Sequence, residues 1–221
     1  MKITILSLFP GYFKGPFDES IIGQARKKGI IDIVLVDIRD FADNRYRKVD
    51  DRPYGGGPGM VLMPQPVTQA IRSVRAQGAH VVYMSPQGAP LTAAKSRQLA
   101  SYEHLVILCG HYEGIDERAL QSDVDEEISI GDYVLTNGCL PAIVLVDAVV
   151  RFVPGVLGHE SAASEDSFEC GIFDCPHYTR PEVFEGRAVP EVLLSGNHKK
   201  IEEWRKAQAK EKTRRVRPDL I

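Results

Sequence analysis

The chain predicts an α/β fold with a mostly parallel sheet, on two observations. Apolar, strand-like runs alternate with segments of helical periodicity through the first 150 residues, and helix start and stop residues fall between the runs. Strands separated by helices form parallel sheets covered on both faces, because each crossover lays a helix against the sheet.

The strand runs, in order, are Ile3–Leu8, Ile31–Ile38, His80–Met84, Leu105–Cys109 and Glu126–Ile130. Phe17–Lys28 is the first helix, with Gly29 placed to close it in a left-handed conformation. Pro64 and Pro66 open the second, where a helix does not use the missing N–H. Val67, Ala70, Ile71 and Val74 then recur at the spacing of one helix face, and Gly78 closes it. Thr92 caps a third helix, Ala93–Ser101. Ala142–Val150 has the β-branched content of a strand, yet Pro141 as a first helical residue favours a helix, and a helix is expected. Residues 155–181 lack periodicity, are rich in Gly, Ser, Glu and Asp, and read as a long loop; loops of that length are usually functional or disordered. The final helix, Lys199–Lys212, sets Ile201, Trp204 and Ala207 on one side.

At 221 residues, 43% hydrophobic and 26% charged, the composition is that of a soluble globular protein with one main domain and room for a small appendage. The apolar run Leu140–Val146 is stopped by Asp147, far short of the roughly 18 residues of a membrane span, so no membrane association is expected. Met1–Leu6 is too brief for a signal peptide. Cys109, Cys139, Cys170 and Cys175 have no framework spacing, and a reduced, cytoplasmic protein is expected. Cys170 and Cys175 with His177 do not have a usual zinc spacing, and no metal site is expected. The net charge of −3 hides an asymmetry: residues 199–217 hold nine Lys/Arg against three Glu, +6 locally, which leaves −9 elsewhere. A basic tail on an acidic body fits a polyanion partner, and equally a solvated helix face.

Chemistry is expected where three glycine-bearing loops follow three strands: Ser85–Gly88, Gly110–Gly114 and Gly131–Gly138. Ligands of open parallel sheets bind beyond the carboxyl ends of the strands. A glycine after a strand is routinely only a turn, but three such loops in order favour a pocket wrapped largely by backbone. None is a G-x-G-x-x-G or a G-x-x-x-x-G-K-[ST], so dinucleotide redox and P-loop chemistry lose their usual support. There is no Gly-x-Ser-x-Gly elbow. The run Gly55-Gly56-Gly57-Pro58-Gly59 reads as a substrate loop or as a linker. His111 and His159 are isolated. Downstream of the third loop, Arg151 and Asp166 offer a charge stabiliser and a proton acceptor. Taken alone they read rather as a surface ion pair and a solvated loop carboxylate.

Longer motifs sharpen this. They are Asp50-Asp51-Arg52-Pro53-Tyr54-Gly55-Gly56-Gly57-Pro58-Gly59-Met60, Ser85-Pro86-Gln87-Gly88, Tyr112-Glu113-Gly114-Ile115-Asp116-Glu117-Arg118 and Ser129–Leu135. Arg151-Phe152-Val153-Pro154-Gly155, Asp174-Cys175-Pro176-His177-Tyr178-Thr179-Arg180-Pro181 and Leu193-Leu194-Ser195-Gly196-Asn197-His198 follow. On these the chain resembles, along nearly its whole length, the bacterial tRNA (guanine-N1)-methyltransferases, the TrmD family within the SPOUT superfamily of knotted methyltransferases.

The resemblance implies an α/β domain with a deep trefoil knot that binds S-adenosylmethionine (residues 1–157). It also implies an interdomain loop (158–175), a small helical tRNA-binding domain (176–221), and a homodimer with active sites at the interface. The implied reaction is methyl transfer from S-adenosylmethionine to N1 of the guanine at position 37, in the tRNA anticodon loop. By the match, Tyr83, Ser85, Pro86, Gln87, Gly110, Tyr112 and Gly114 hold the cofactor. So do Ser129, Ile130, Gly131, Asp132, Tyr133, Val134, Leu135, Gly138 and Pro141, with Glu113 or Asp174 facing its cationic groups. Asp166 matches the general base that removes the N1 proton, and Arg151 the group that stabilises charge spreading towards O6. Three departures stand out. Asn137 and Cys139 occupy places where the family usually has a glycine and an acidic residue, His111 replaces a common arginine, and the chain stops at Ile221, short of a further helical segment in many members. The rival readings are a related knotted methyltransferase acting on another RNA position, and a non-catalytic RNA-binding protein; intact Arg151 and Asp166 argue against the second.

Overall fold

The computed structural model describes residues 1–158, 163, 166–169 and 171–221. It divides into two compact units, Met1–Gly158 and His159–Ile221. His159, Cys170 and much of the first half of the expected interdomain loop 158–175 lie outside the described residues.

The first unit runs β1 (Lys2–Ser7), α1 (Ser20–Lys27), β2 (Asp32–Asp37), β3 (Asp50–Asp51), β4 (Val61–Leu62), α2 (Pro64–Val74) and β5 (His80–Pro90). It continues through α3 (Ala93–Ala100), β6 (His104–Cys109), α4 (Glu117–Asp123), β7 (Glu126–Ser129) and α5 (Cys139–Val150). Five strands form one sheet in the order β2-β1-β6-β5-β7, every pairing parallel. Side chains alternate across it, as the two-residue period of a strand requires. Ile3 and Ile5 of β1, Val82 and Met84 of β5, and Leu105 and Ile107 of β6 join a core that includes Ile22 of α1, Leu99 of α3 and Leu145, Val146 and Val149 of α5. Leu6, Val81, Tyr83, Val106 and Leu108 join Val67, Ala70 and Ile71 of α2 and Ala119 of α4 in a second core. The expected α/β architecture, with a mostly parallel sheet covered on both faces, is present.

Several boundaries differ from expectation, each for a local reason. The third strand does not stop at Met84. It runs to Pro90, with Ser85–Gly88 looped out, since Met84 and Ala89 both pair with Ile128. A Cβ on Gly88 would lie 2.4 Å from the Ile128 amide nitrogen, so glycine lets β7 approach. The helix expected over 142–150 starts at Cys139, with Gly138 as N-cap. Pro141 therefore sits in the third helical position, still inside the first turn whose N–H groups have no intrahelical partner. Asp116 Oδ1 accepts the Arg118 amide at 3.0 Å and starts α4, a helix without an apolar stripe long enough to read. Gly55–Gly59 lies within the connection between the two-residue strands β3 and β4.

The second unit contains β8 (Val183–Phe184), β9 (Arg187–Ala188), α6 (Glu191–Leu194) and α7 (His198–Val216). The β8–β9 turn places Glu185 at φ 50° and Gly186 at φ 76°, the two positive values that a two-residue hairpin turn needs to match strand twist. Asn197 Oδ1 accepts the Lys200 amide at 3.2 Å and caps α7. Between Gly155 and Pro181 the described residues form no helix or strand, as the composition suggested. Among the described residues, no helix is long and apolar enough to cross a membrane.

Candidate active site

The carboxyl ends of β5, β6 and β7 open onto a cavity of about 220 Å³, built wholly within the first unit. Of the residues singled out from sequence, Tyr83, Ser85, Pro86, Gly110, Tyr112, Glu113, Gly114, Ser129, Ile130, Gly131, Tyr133, Val134, Leu135, Gly138 and Pro141 line it. Gln87 and Asp132 are exposed neighbours of that wall, and Asp174 belongs to the second unit. The wall also includes His111, Thr136 and Asn137, which lie within the loops expected to form it, and Met84 and Ile128, which sequence reasoning did not assign to it. Their signal was only adjacency to the three glycine loops. The volume is slightly below the ~300 Å³ at which small-molecule pockets usually begin. One side is rimmed by Tyr133 and Val134, the latter 82% exposed.

Each wall is shaped by a short-range bond. Ser129 Oγ accepts the Gly131 amide at 3.1 Å and donates to the Gly131 carbonyl at 3.0 Å, which folds the start of the third loop. Gly131 has φ +148°, and a Cβ there would meet the Tyr133 ring at 2.5 Å. Gly110 faces the buried Tyr83, where a Cβ would lie 2.8 Å from the phenol oxygen; burial pushes that phenol up to about 12. The Gly138 amide donates to the Gly110 carbonyl at 2.8 Å and brings the second and third loops together.

The glycine run is tied to this wall as well. The Glu113 amide donates to the Met60 carbonyl at 3.0 Å, and the Leu62 amide to the Gly114 carbonyl at 3.0 Å. Gly59 has φ +83° and packs so closely on the Glu113 side chain that a Cβ would lie 2.4 Å from Oε1. The end of the glycine run is therefore held against this wall, while Gly55, Gly56 and Gly57 have nothing within 4 Å of a Cβ position.

Arg151 follows α5 directly in helical conformation, exposed, and the next side chain, Phe152, has the Arg97 guanidinium over its ring at 5.0 Å. In the second unit, half-buried Asp166 opens a turn: its carbonyl accepts the Glu169 amide at 3.3 Å. Ser167 Oγ accepts the Asp174 amide at 3.0 Å, which holds the two aspartate-bearing segments of this loop together. Asp174 in turn contacts His177 Nε2 at 2.7 Å. Burial raises the Asp174 carboxyl, but His177 and the Cys175 amide outweigh it and hold it below the usual carboxylate range. Asp174, Cys175 and His177 carry potential ligand atoms within 4.8 Å of one another.

The profile of the family described as tRNA (Guanine-1)-methyltransferase TrmD matches residues 1–221, the whole chain. The chain is 69% identical over 221 residues to the tRNA (guanine-N(1)-)-methyltransferase of Protochlamydia amoebophila, covering all of both chains. It is 60% identical over 220 residues to the proteins of that name from Chlamydia pneumoniae and Chlamydia trachomatis serovar D, and spans 61% and 62% of their lengths. The chain belongs to the tRNA (guanine-1)-methyltransferase family.

Membership in this tRNA (guanine-N1)-methyltransferase family makes it an enzyme of methyl transfer to tRNA guanine. Asn137 and Cys139, the two loop positions expected to depart from the family pattern, have defined partners. Asn137 Oδ1 accepts the Cys139 amide at 2.8 Å, an Asx turn that starts α5. Cys139 is buried, its sulfur 3.3 Å from Ser7 Oγ and 3.8 Å from His111 Nε2. The neighbouring Cys109 thiol, then His111 and Ser7, draw the Cys139 thiol below its ordinary range against its burial. Burial pushes Cys109 the other way.

Proposed function

We propose that the chain transfers the methyl group of S-adenosylmethionine to N1 of the guanine at position 37 of tRNA. The observation that carries the cofactor assignment is the pocket wall. Gly110, Gly131 and Gly138 leave backbone where a Cβ would clash, and Glu113 offers a carboxylate beside it. Such a wall suits a flat adenine read by backbone N–H and C=O groups. The Glu113 carboxylate suits a cationic sulfonium or ammonium, which needs a partner once desolvated. When bound, S-adenosylmethionine supplies an electrophilic methyl group.

The remaining chemistry falls to this chain's side chains. Guanine N1 carries a proton and attacks poorly until it is removed; Asp166 takes that proton as general base. Negative charge then spreads towards O6, where the Arg151 guanidinium stabilises it. Alignment of N1 with the methyl carbon is a positioning problem that fixed loops solve. Asp174 is assigned to the cofactor's cationic groups on the family match. A cytoplasmic homodimer and a trefoil knot belong to the same reading. The exposed apolar face of α5, Leu140 at 45% and Val144 at 46%, supports a second copy. The first unit is assigned to the cofactor and the second, with its basic α7, to tRNA.

The test is incubation with labelled S-adenosylmethionine and tRNA transcripts bearing or lacking the guanine at position 37. Label on the guanine-bearing transcript alone is expected. Label independent of that base overturns the substrate assignment, and tRNA binding without transfer overturns the enzymatic one. Asp166→Asn is expected to lower turnover by roughly 10²–10⁴-fold with S-adenosylmethionine affinity in calorimetry nearly unchanged.

A further inference from the structure

A second cavity, of about 380 Å³, lies wholly within the second unit and has no part in the chemistry above. Tyr178, Arg180, Glu182, Leu193, Ile201 and Arg205 are among its lining residues. We propose that it is a nucleobase subsite, which takes one unpaired base of the substrate RNA other than the target guanine. The inference rests on the tRNA reading above and deepens it.

Four observations converge. The volume falls within the ~300–1,000 Å³ of ordinary ligand sites. Tyr178, 49% exposed, contributes an aromatic ring to the lining and sits next to Trp204, with centroids 6.2 Å apart and planes at 56°. Arg180 and Arg205 are exposed cations on the same cavity, suited to a phosphate. The Glu182 carboxylate can accept the N–H groups of a base edge, while Leu193 and Ile201 supply an apolar floor. The site is also held in shape: the Val189 amide donates to the Glu182 carbonyl at 2.8 Å, and both residues line the cavity on either side of the β8–β9 hairpin. An aromatic platform flanked by arginines, with one acceptor for a base edge, is the combination by which proteins hold splayed bases of single-stranded RNA loops. A purely apolar ligand would leave the arginines and Glu182 idle.

Trp204 is the chain's one tryptophan, so its emission reports on this cavity without reference to catalysis. Titrating the full chain with a single-stranded RNA oligonucleotide of anticodon-loop sequence is expected to change Trp204 fluorescence. Tyr178→Ala is expected to weaken tRNA binding by about 5- to 150-fold, the range for loss of one stacked base. S-adenosylmethionine affinity and kcat at saturating tRNA should stay as in the wild type. Tyr178→Phe keeps the platform and should restore binding, and Arg180→Gln at the rim should weaken it independently. Transcripts made abasic at single loop positions identify the occupant: at one non-target position the wild type loses affinity and Tyr178→Ala loses nothing further. Overturning results are RNA-silent Trp204 emission, wild-type binding by Tyr178→Ala, or additive losses at every abasic position. A chain that fails to methylate yet shows the Trp204 response and the non-additive position refutes the enzymatic reading and leaves this subsite standing. A chain that methylates position 37 with neither effect refutes the subsite alone.

Discussion

The Gly138 amide donates to the Gly110 carbonyl at 2.8 Å, and this contact joins two pocket loops that are far apart in sequence. Gly138 has φ −81°, so conformational freedom does not explain its glycine. Space does: a Cβ would lie 2.8 Å from the Gly110 nitrogen and 3.0 Å from the Cys109 Cα, both rigid backbone. Gly138→Ala is therefore expected to cost about 1–3 kcal/mol as an overpacked site. Each kcal/mol lowers Tm by about 2–4 °C in a chain of this size. Gly11→Ala, where a Cβ meets nothing within 4 Å, is the control. Equal melting temperatures for the two variants would refute the argument, and Gly138→Ala should also lose S-adenosylmethionine binding in calorimetry.

The loop bearing Asp166 and Asp174 depends on one hydroxyl. Thr213 is fully buried; its Oγ1 donates to the Ala209 carbonyl at 2.7 Å and accepts the Phe173 amide at 2.9 Å. Phe173 meets Phe168 edge-on at 5.5 Å, which closes the loop on its own side chains. Thr213→Val keeps the shape but leaves the Phe173 N–H without its acceptor, at a cost of about 1–3 kcal/mol. Faster amide exchange at Phe173 and lower turnover are expected, with S-adenosylmethionine affinity less affected than kcat. Unchanged exchange at Phe173 would show that another group holds the loop.

How far the fold could be read in the chain depended on how local each cause was. The sheet was legible because its strands are apolar runs with helix signals between them, and those are local properties. The end of β5 was placed early, at Met84, because Pro86 and Gly88 look like a turn that ends a strand, whereas pairing resumes at Ala89 and Gly88 serves the approach of Ile128, a residue of another strand. The start of α5 was placed late because Pro141 suits any position in the first turn. For the site, the glycines marked the loops but not their neighbours. The contacts of His111 and Asn137 with Cys139 follow from no spacing, and the tie between Gly59 and Glu113 crosses two elements. The roles of Arg151 and Asp166 came from family resemblance, since an arginine and an aspartate in loops have no periodic signature.

Acid should unfold the first unit through its paired carboxylates. Arg72 Nε and Nη2 donate to the Asp123 carboxylate at 2.8 and 2.9 Å, and Ser122 Oγ donates at 2.6 Å. Burial raises the Asp123 carboxyl, but Arg72 and Ser122 outweigh it and hold it below the ordinary range. Glu126 is held down against its burial by Lys95 and His80. A folded-state value below the unfolded one adds stability above the ordinary carboxyl value of about 4. That stability is lost as pH falls through the lower, folded value. The wild type should therefore keep its stability to about pH 4 and lose it below. In Arg72→Met only Ser122 and Arg75 are left to oppose the burial of Asp123, and the midpoint of acid unfolding, followed by circular dichroism, should move to higher pH. A midpoint that stays in place would mean the pair carries no linkage.

The basic face of α7 decides between the two readings left open by its charge. Lys199, Lys200 and Lys210 are all exposed. A solvated helix face predicts that neutralising them leaves RNA binding alone. Phosphate contacts predict otherwise, because each neutralised phosphate releases a counterion and contributes about 0.7–0.9 to the slope of log K against log salt. The triple variant Lys199→Gln, Lys200→Gln, Lys210→Gln is therefore expected to reduce that slope for tRNA by about 2–3. Discrimination between transcripts with and without the target guanine should persist, since phosphate contacts position and base contacts specify. Filter binding from low to physiological salt measures both. A slope unchanged within error would assign these lysines to solvent and move the tRNA surface elsewhere on the chain.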